Sequence, residues 1–163
     1  MFKYVDFKKE HLIDFEYTGI ESLPENFQEH FVNMFGNSEE IHTLIADGVV
    51  FGFIGYLELN ASTVQVWAFF NTEIHKISIQ KFLRSVFCRE LKRLLKTYDR
   101  IQTFCLNDLK KVNNFIQWFK FKKEAVLKRF SNNQDYAIYV LFRGDLWQGW
   151  KSFLLLQQRQ ALH

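Results

Sequence analysis

Little in this chain forces the backbone to turn. There is one proline and there are only seven glycines in 163 residues, and no glycine falls anywhere from Phe70 to Gln80. The longest uninterrupted apolar run, Val49 to Leu57, is far short of the roughly 20 residues a membrane helix needs, so no membrane span is expected. Met1-Phe2-Lys3-Tyr4 carries no signal-peptide apolar stretch. The two cysteines, Cys88 and Cys105, form no CxxC pair and sit in apolar patterns, as reduced core residues of a cytoplasmic protein do. His11, His30, His42, His75 and His163 show no metal spacing such as HExxH, so no metal site is expected. There is no GxSxG and no P-loop, and Gly48, Gly52 and Gly55 lie within a strand pattern, not between a strand and a helix where a dinucleotide fingerprint belongs. Asn60-Ala61-Ser62 matches a glycosylation sequon but, without secretion, reads as a turn.

What is present is phenylalanine, nineteen of them, enough for an aromatic core in one compact mixed domain of this length. Charge is divided along the chain. Residues 1–75 hold three Lys against twelve Asp or Glu, whereas residues 76–163 hold eighteen Lys or Arg against six acids. Solvated or mutually offsetting faces explain this most simply. A basic surface that meets phosphate, from a cofactor, a nucleic acid or an acidic partner, is the sharper alternative.

Periodicity then orders the elements. Phe2 to Phe7 reads as a first strand, Lys8 to Tyr17 and Ser22 to Phe35 as helices, and Ile41 to Ala46 as a short strand. Asp47-Gly48 joins it to Val49–Leu59 as a hairpin, because both residues take positive φ. Gly52 and Gly55 inside the second arm predict a bulge or a close backbone approach. Thr63 to Phe70 is a strand with Val64, Val66 and Ala68 on one face and Gln65, Trp67 and Phe69 on the other. Ile77 to Tyr98 is an amphipathic helix with an apolar stripe through Ile79, Leu83, Val86 and Leu94, and Cys88 is expected to be buried in it. Arg100 to Leu106 is a strand, and Leu109 to Phe119 is a helix with Val112, Phe115, Ile116 and Phe119 as its inner stripe. Lys123 to Phe130 and Tyr136 to Arg143 form a last hairpin around Ser131–Asp135. The tail, 144–163, reads as an amphipathic helix capped by Asp145, with Leu146, Trp147, Trp150, Phe153 and Leu154 on its apolar side. Docking on its own domain and binding a protein partner both suit it.

This order, with Gly52-Phe53-Ile54-Gly55 as a central hairpin arm and a strand ending on Asn107 before a helix that closes on Trp118-Phe119-Lys120-Phe121, resembles the GNAT fold of the N-acetyltransferases. The resemblance covers about residues 2 to 143 and implies an α/β (α+β) domain over 1–143: a central mixed, mostly antiparallel sheet flanked by helices, followed by the C-terminal helix. The basic helix ending in Lys96-Thr97-Tyr98-Asp99, and the strand closing on Asn107, are also similar to small GNAT-like virion-assembly proteins of short-tailed phages. That resemblance places the protein in the host cytoplasm or the virion.

The resemblance implies acetyl-CoA as cofactor, contacted by Phe69, Phe70, His75, Lys76, Ser78 and Asn107, with Glu58 and Asn107 as candidate catalytic residues. Two departures accompany it. Family enzymes hold the pyrophosphate on a glycine-rich turn at the start of the long helix, and here that stretch is Asn71-Thr72-Glu73-Ile74-His75-Lys76-Ile77-Ser78-Ile79. Many members also place a thiolate-protonating Tyr four residues before the Gly of Gly-Phe, and here that count, made back from Lys120, falls on Ile116. A non-catalytic binding or assembly role in a phage particle is therefore expected, with an active acyl-CoA-dependent N-acetyltransferase acting on an unidentified amine as the alternative. A nucleic-acid binder using the basic long helix and Lys110, Lys111, Lys120, Lys122 and Lys123 ranks third.

Overall fold

In the computed structural model the described residues are 1–13, 15, 27–71, 74 and 76–145. The elements are β1 (Phe2–Asp6), α1 (Phe27–Phe35), β2 (Glu40–Ala46), β3 (Val49–Asn60), β4 (Thr63–Phe70), α2 (Ile77–Thr97), β5 (Arg100–Leu106), α3 (Lys110–Trp118), β6 (Lys122–Ser131) and β7 (Gln134–Phe142). The strands form a mixed sheet in the order β1-β2-β3-β4-β5-β7-β6, the α+β architecture the sequence implies. Contacts divide the chain into two compact units, residues 1–59 with 65–91, and residues 60–64 with 92–163.

In the first unit, β1 pairs antiparallel with β2, and β2 antiparallel with β3. From Val50 to Tyr56 every residue of β3 is buried, so both faces of this strand are covered. On one side lies an aromatic cluster centred on Phe31, whose ring is 5.2 Å from Phe53, 5.5 Å from Phe7 and 5.7 Å from Trp67. Leu12, Phe15 and Val50 complete it. The phenylalanines of this cluster are thus used for packing, whereas Phe2, Phe130 and Phe142 are exposed. The amphipathic helix expected over Lys8–Tyr17 is, where described, a 3-10 turn at Lys9–Leu12, with Ile13 exposed and Leu12 and Phe15 buried.

Both interior glycines of β3 mark close approaches. A Cβ on Gly55 would lie 2.0 Å from the Trp67 ring, and one on Gly52 would lie 2.6 Å from the Phe69 carbonyl oxygen. The β2–β3 register also shifts at Leu44/Ile45, where Leu44 faces Gly52 but Ile45 faces Val50, leaving Phe51 as the extra residue of a bulge.

In the second unit β7 pairs antiparallel with both β5 and β6. The β6–β7 turn is shorter than the sequence suggested. Ser131 and Gln134 are already paired, and only Asn132 and Asn133 turn the chain, with φ of 47° and 58°. Asparagine tolerates this left-handed region, so two consecutive Asn make the mirror-image hairpin turn that Asn-Gly usually supplies. Two irregularities interrupt β6, between Lys123 and Ala125 and between Leu127 and Ser131. Arg129 sits in the second with φ 51°, its N–H donating to Asp135 Oδ1 at 3.0 Å.

Two helical expectations are corrected. On α3 the buried residue is Asn113, whereas Val112 is exposed. On α2 the apolar stripe is as expected, but Glu90 is buried on it and Cys88 is only half-buried, while Cys105 is buried. No helix among the described residues is long and apolar enough to cross a membrane. The expected cap is corrected: residues 143–145 are already helical, so Asp145 lies inside the helix and does not cap it, while the rest of the tail, with Leu146, Trp147, Trp150, Phe153 and Leu154, lies outside the described residues.

Candidate functional site

The first unit holds the junction between β4 and α2. Asn71 closes β4 and is buried. Its N–H donates to the Phe51 carbonyl (3.0 Å), its Nδ2 donates to the Val50 carbonyl (3.2 Å), and its own carbonyl accepts from Ile74 N–H (3.2 Å). The bulge in β3 presents the two carbonyls that Asn71 takes, so the strand end and the start of the turn are fixed together. Asn71 was not singled out in the sequence, although an Asn directly after an alternating strand is a turn signal.

The first intrahelical bond of α2 that leads in from the junction runs from Gln80 N–H to the Lys76 carbonyl (3.0 Å). The amides of Ile77, Ser78 and Ile79 precede it, at the positive end of the helix dipole. No acid stands in that first turn. Lys76, Ile77 and Ser78 are exposed, whereas Ile79 points into the core. Lys76 lowers the pKa of Asp47, a minor contribution beside the hydrogen bond and charge of the Met1 ammonium. His75, Glu73 and Thr72 lie outside the described residues. Phe69 and Phe70 serve the packing: Phe69 lies 5.1 Å from Phe35, and Phe70 lies 6.3 Å edge-on to Phe87.

Glu58 is exposed near the end of β3, where its backbone N–H donates to Glu39 Oε2 at 2.7 Å. It lies apart from Asn71 along the strand, as the two ends of a twelve-residue strand must.

The second unit holds Asn107, directly after β5. Its carboxamide is engaged at both ends: Nδ2 donates to Asp108 Oδ1 (3.1 Å), and Oδ1 accepts from Lys123 Nζ (2.5 Å). Its backbone N–H donates to the Asp135 carbonyl (2.9 Å), and its carbonyl accepts from Asn113 Nδ2 (2.9 Å).

Asn113 is the polar centre of this unit. Nδ2 also donates to the Leu109 carbonyl (2.9 Å), and Oδ1 accepts from Tyr139 Oη (2.7 Å) and Cys105 Sγ (3.1 Å). Gln117 Nε2 stands 3.4 Å from the same Tyr139 oxygen. Burial pushes the Cys105 thiol up to about 11 and raises Tyr139 above its ordinary value. Asn113 thereby ties the turn after β5 to the helix that follows, and it escaped sequence reasoning because its neighbours on α3 suggested an apolar stripe.

The end of α3 fixes the register of that helix. Lys120 has φ 71°, with its N–H donating to the Gln117 carbonyl at 2.9 Å. That left-handed conformation is the one a glycine normally takes after a helix. Counting four residues back gives Ile116, which is half-buried. Among the described residues no group of three or more His, Cys, Asp or Glu is placed to hold a metal.

Comparison with solved structures gives the same fold. The chain is similar to Ard1 from Thermoplasma volcanium (11% identity, 86% of this chain and 97% of that one, TM-score 0.72). It is similar to a chimera of spermidine N-acetyltransferase SpeG from Vibrio cholerae and hSSAT (17% identity, 88% and 96%, TM-score 0.66). A GNAT-family acetyltransferase from Bacillus anthracis also matches (14% identity, 88% and 95%, TM-score 0.64). No family model matches the sequence, and no curated protein matches it. The chain has the GNAT fold.

Proposed function

We propose that this chain uses the GNAT fold as a binding scaffold in which acetyl transfer has been lost. The observation that carries this reading is Lys120. Because it occupies the left-handed turn that ends α3, the register of the helix is fixed, and the position from which family enzymes protonate the departing thiolate holds Ile116. A sec-butyl side chain has no proton to give. Two further observations support it: the β4–α2 junction has no glycine, and the carboxamide of Asn107 is already bonded to Lys123 and Asp108. The proposal extends to particle assembly in a phage on the sequence resemblance of Lys96–Asp99 and Asn107. In the second unit the Asp99 corner is structural, its N–H bonding the Ser62 carbonyl (2.9 Å) and its carboxylate pairing with Arg143 (3.3 Å).

One observation favours the alternative, an acyl-CoA-dependent N-acetyltransferase. The start of α2 is exposed, free of acids in its first turn and flanked by Lys76, which suits an anion.

Calorimetric titration with acetyl-CoA, and with CoA as control, separates the two. Absence of heat at millimolar cofactor is the expected result. Micromolar binding that Ser78→Glu abolishes, together with turnover on an amine, would establish the enzyme instead.

A further inference from the structure

We propose that the outer face of the β5-β7-β6 sheet binds single-stranded nucleic acid, with a base stacked on Phe130 and phosphates held by Arg100, Lys122 and Lys128. The inference stands whether or not the protein binds acetyl-CoA.

Cross-strand register puts Phe104 opposite Ile138 and Leu106 opposite Tyr136 on β7, with Leu127 of β6 on the other side of Tyr136. Opposed residues of an antiparallel pair share a face, so these side chains form one apolar strip. The reverse face is filled: Ala137, Tyr139 and Leu141 of β7 are buried, and Tyr139 bonds Asn113 of α3. The strip is open at both ends, with Phe130 58% exposed beside Tyr136 and Phe142 42% exposed at the other end of β7. Between them Ile138 is half-buried and Val140 is buried. From Tyr136 to Phe142 the strand runs about 20 Å.

The exposed groups are aromatic, and at the Phe130 end they are already stacked. The Phe130 ring lies parallel to that of Phe104, with centres 5.9 Å apart and planes 3° apart, and 5.7 Å from Tyr136. Offset parallel stacking is the arrangement aromatic rings prefer. A base that settles on the open part of Phe130 continues the stack that Phe104 begins. Sheet faces that present aromatic rings in this way hold unpaired bases, whatever their sequence. At the far end the Arg100 guanidinium stands 5.7 Å from the centre of the Phe142 ring.

Charge decides the occupant. The described residues of this unit hold twelve Lys or Arg against five acids, so a polyanion is drawn to it. Arg100, opposite Phe142, and Lys122, opposite Val140, share the face of the strip, and Lys128 comes two residues before Phe130. Each has an acid beside it: Arg100 pairs with Glu124, Lys122 with Asp145 and Lys128 with Asp135. Such solvent-accessible pairs are weak. An ammonium carries three donors and a guanidinium five, so each cation keeps N–H groups for a phosphate. Cations around open rings suit a chain that offers phosphates and unstacked bases together, which a single strand does and a duplex does not.

The test measures the fluorescence anisotropy of a labelled oligothymidylate with the full chain at rising salt. The expected result is binding that weakens with salt, is tighter than that of a duplex of equal length, and falls about tenfold in Phe130→Ala while Phe130→Trp retains it. Photo-cross-linking with bromodeoxyuridine in place of thymidine reads the site in the unaltered chain, and the cross-link is expected on Phe104, Phe130 or Tyr136. Absence of binding at low salt would overturn the proposal. So would duplex binding at least as tight, unmoved by Phe130→Ala, which is charge attraction alone. Cross-links confined to Lys110 and Lys111 of α3 would place the nucleic acid elsewhere. Sedimentation with vesicles of anionic phospholipid, without oligothymidylate binding, would give the strip to a membrane surface instead.

Discussion

Lys120 carries a backbone strain that the sequence does not hide once α3 is recognised. A residue with a Cβ in the left-handed region costs about 1 kcal/mol relative to glycine. Lys120→Gly should therefore raise stability by about that amount, read as a higher denaturant midpoint at unchanged slope. Asn113 is the opposite case, a polar residue that cannot be exchanged for the apolar one its position suggests. Asn113→Leu would take the acceptor of the Tyr139 hydroxyl and the side-chain donor of the Asn107 carbonyl, and should cost about 3 kcal/mol, whereas Tyr139→Phe, which removes one donor, should cost about 1 kcal/mol. Cys105 gives a chemical readout of the same cluster. With its thiol pushed up to about 11, only about 0.1% is thiolate at pH 8. Iodoacetamide should modify half-buried Cys88 long before Cys105, and a Cys105 that reacts first would contradict the buried cluster.

At the scale of elements, β3 shows why two glycines stand in an otherwise apolar strand. Gly55→Ala would drive a methyl group into the Trp67 ring, itself anchored by Nε1 to Ser38 Oγ at 3.0 Å. It should destabilise by at least about 2 kcal/mol, measured by chemical denaturation. The β6–β7 hairpin supplies a pH-dependent element. The Lys128 hydrogen bond, and then the Arg129 N–H, hold Asp135 below the ordinary carboxylate range. The folded pKa is depressed, so the contribution is complete above the unfolded value and is lost as pH falls through the folded one. A carboxyl titration should place Asp135 below an ordinary Asp, and Asp135→Asn should remove its share of the acid limb of stability. Much of this was legible in advance. β4 and β5 have the expected limits, and the two glycines announced close contact, because alternation and Gly are local signals. The Asn132-Asn133 turn and Asn113 were not legible, because the turn rests on a conformation that residue type only permits and Asn113 on Tyr139, a partner far along the chain.

For the whole molecule, the sheet order and the solved neighbours agree on the fold, while the β4–α2 junction depends on a few side chains that the fold does not dictate. Of the positions the sequence nominated, Lys76 and Ser78 are exposed at the start of α2, Asn107 is engaged in its own unit, and Phe69 and Phe70 are committed to packing. The junction was readable because glycine is conspicuous by its absence, but the engagement of Asn107 by Lys123 was not, since it joins residues sixteen apart. Thermal unfolding offers a second measure of the proposed function. A ligand at 100 times its Kd adds about 2.7 kcal/mol, so an unmoved Tm at millimolar acetyl-CoA would exclude affinities of tens of micromolar. One further consequence belongs to β6. It is the last strand of the sheet among the described residues, the kind of edge on which chains stack into fibrils. Its pairing is broken twice, and Lys122, Lys123, Lys128 and Arg129 stud it with positive charge. Another molecule approaching edge to edge would meet a kinked, like-charged rim. This edge of the sheet is thereby guarded against cross-β growth.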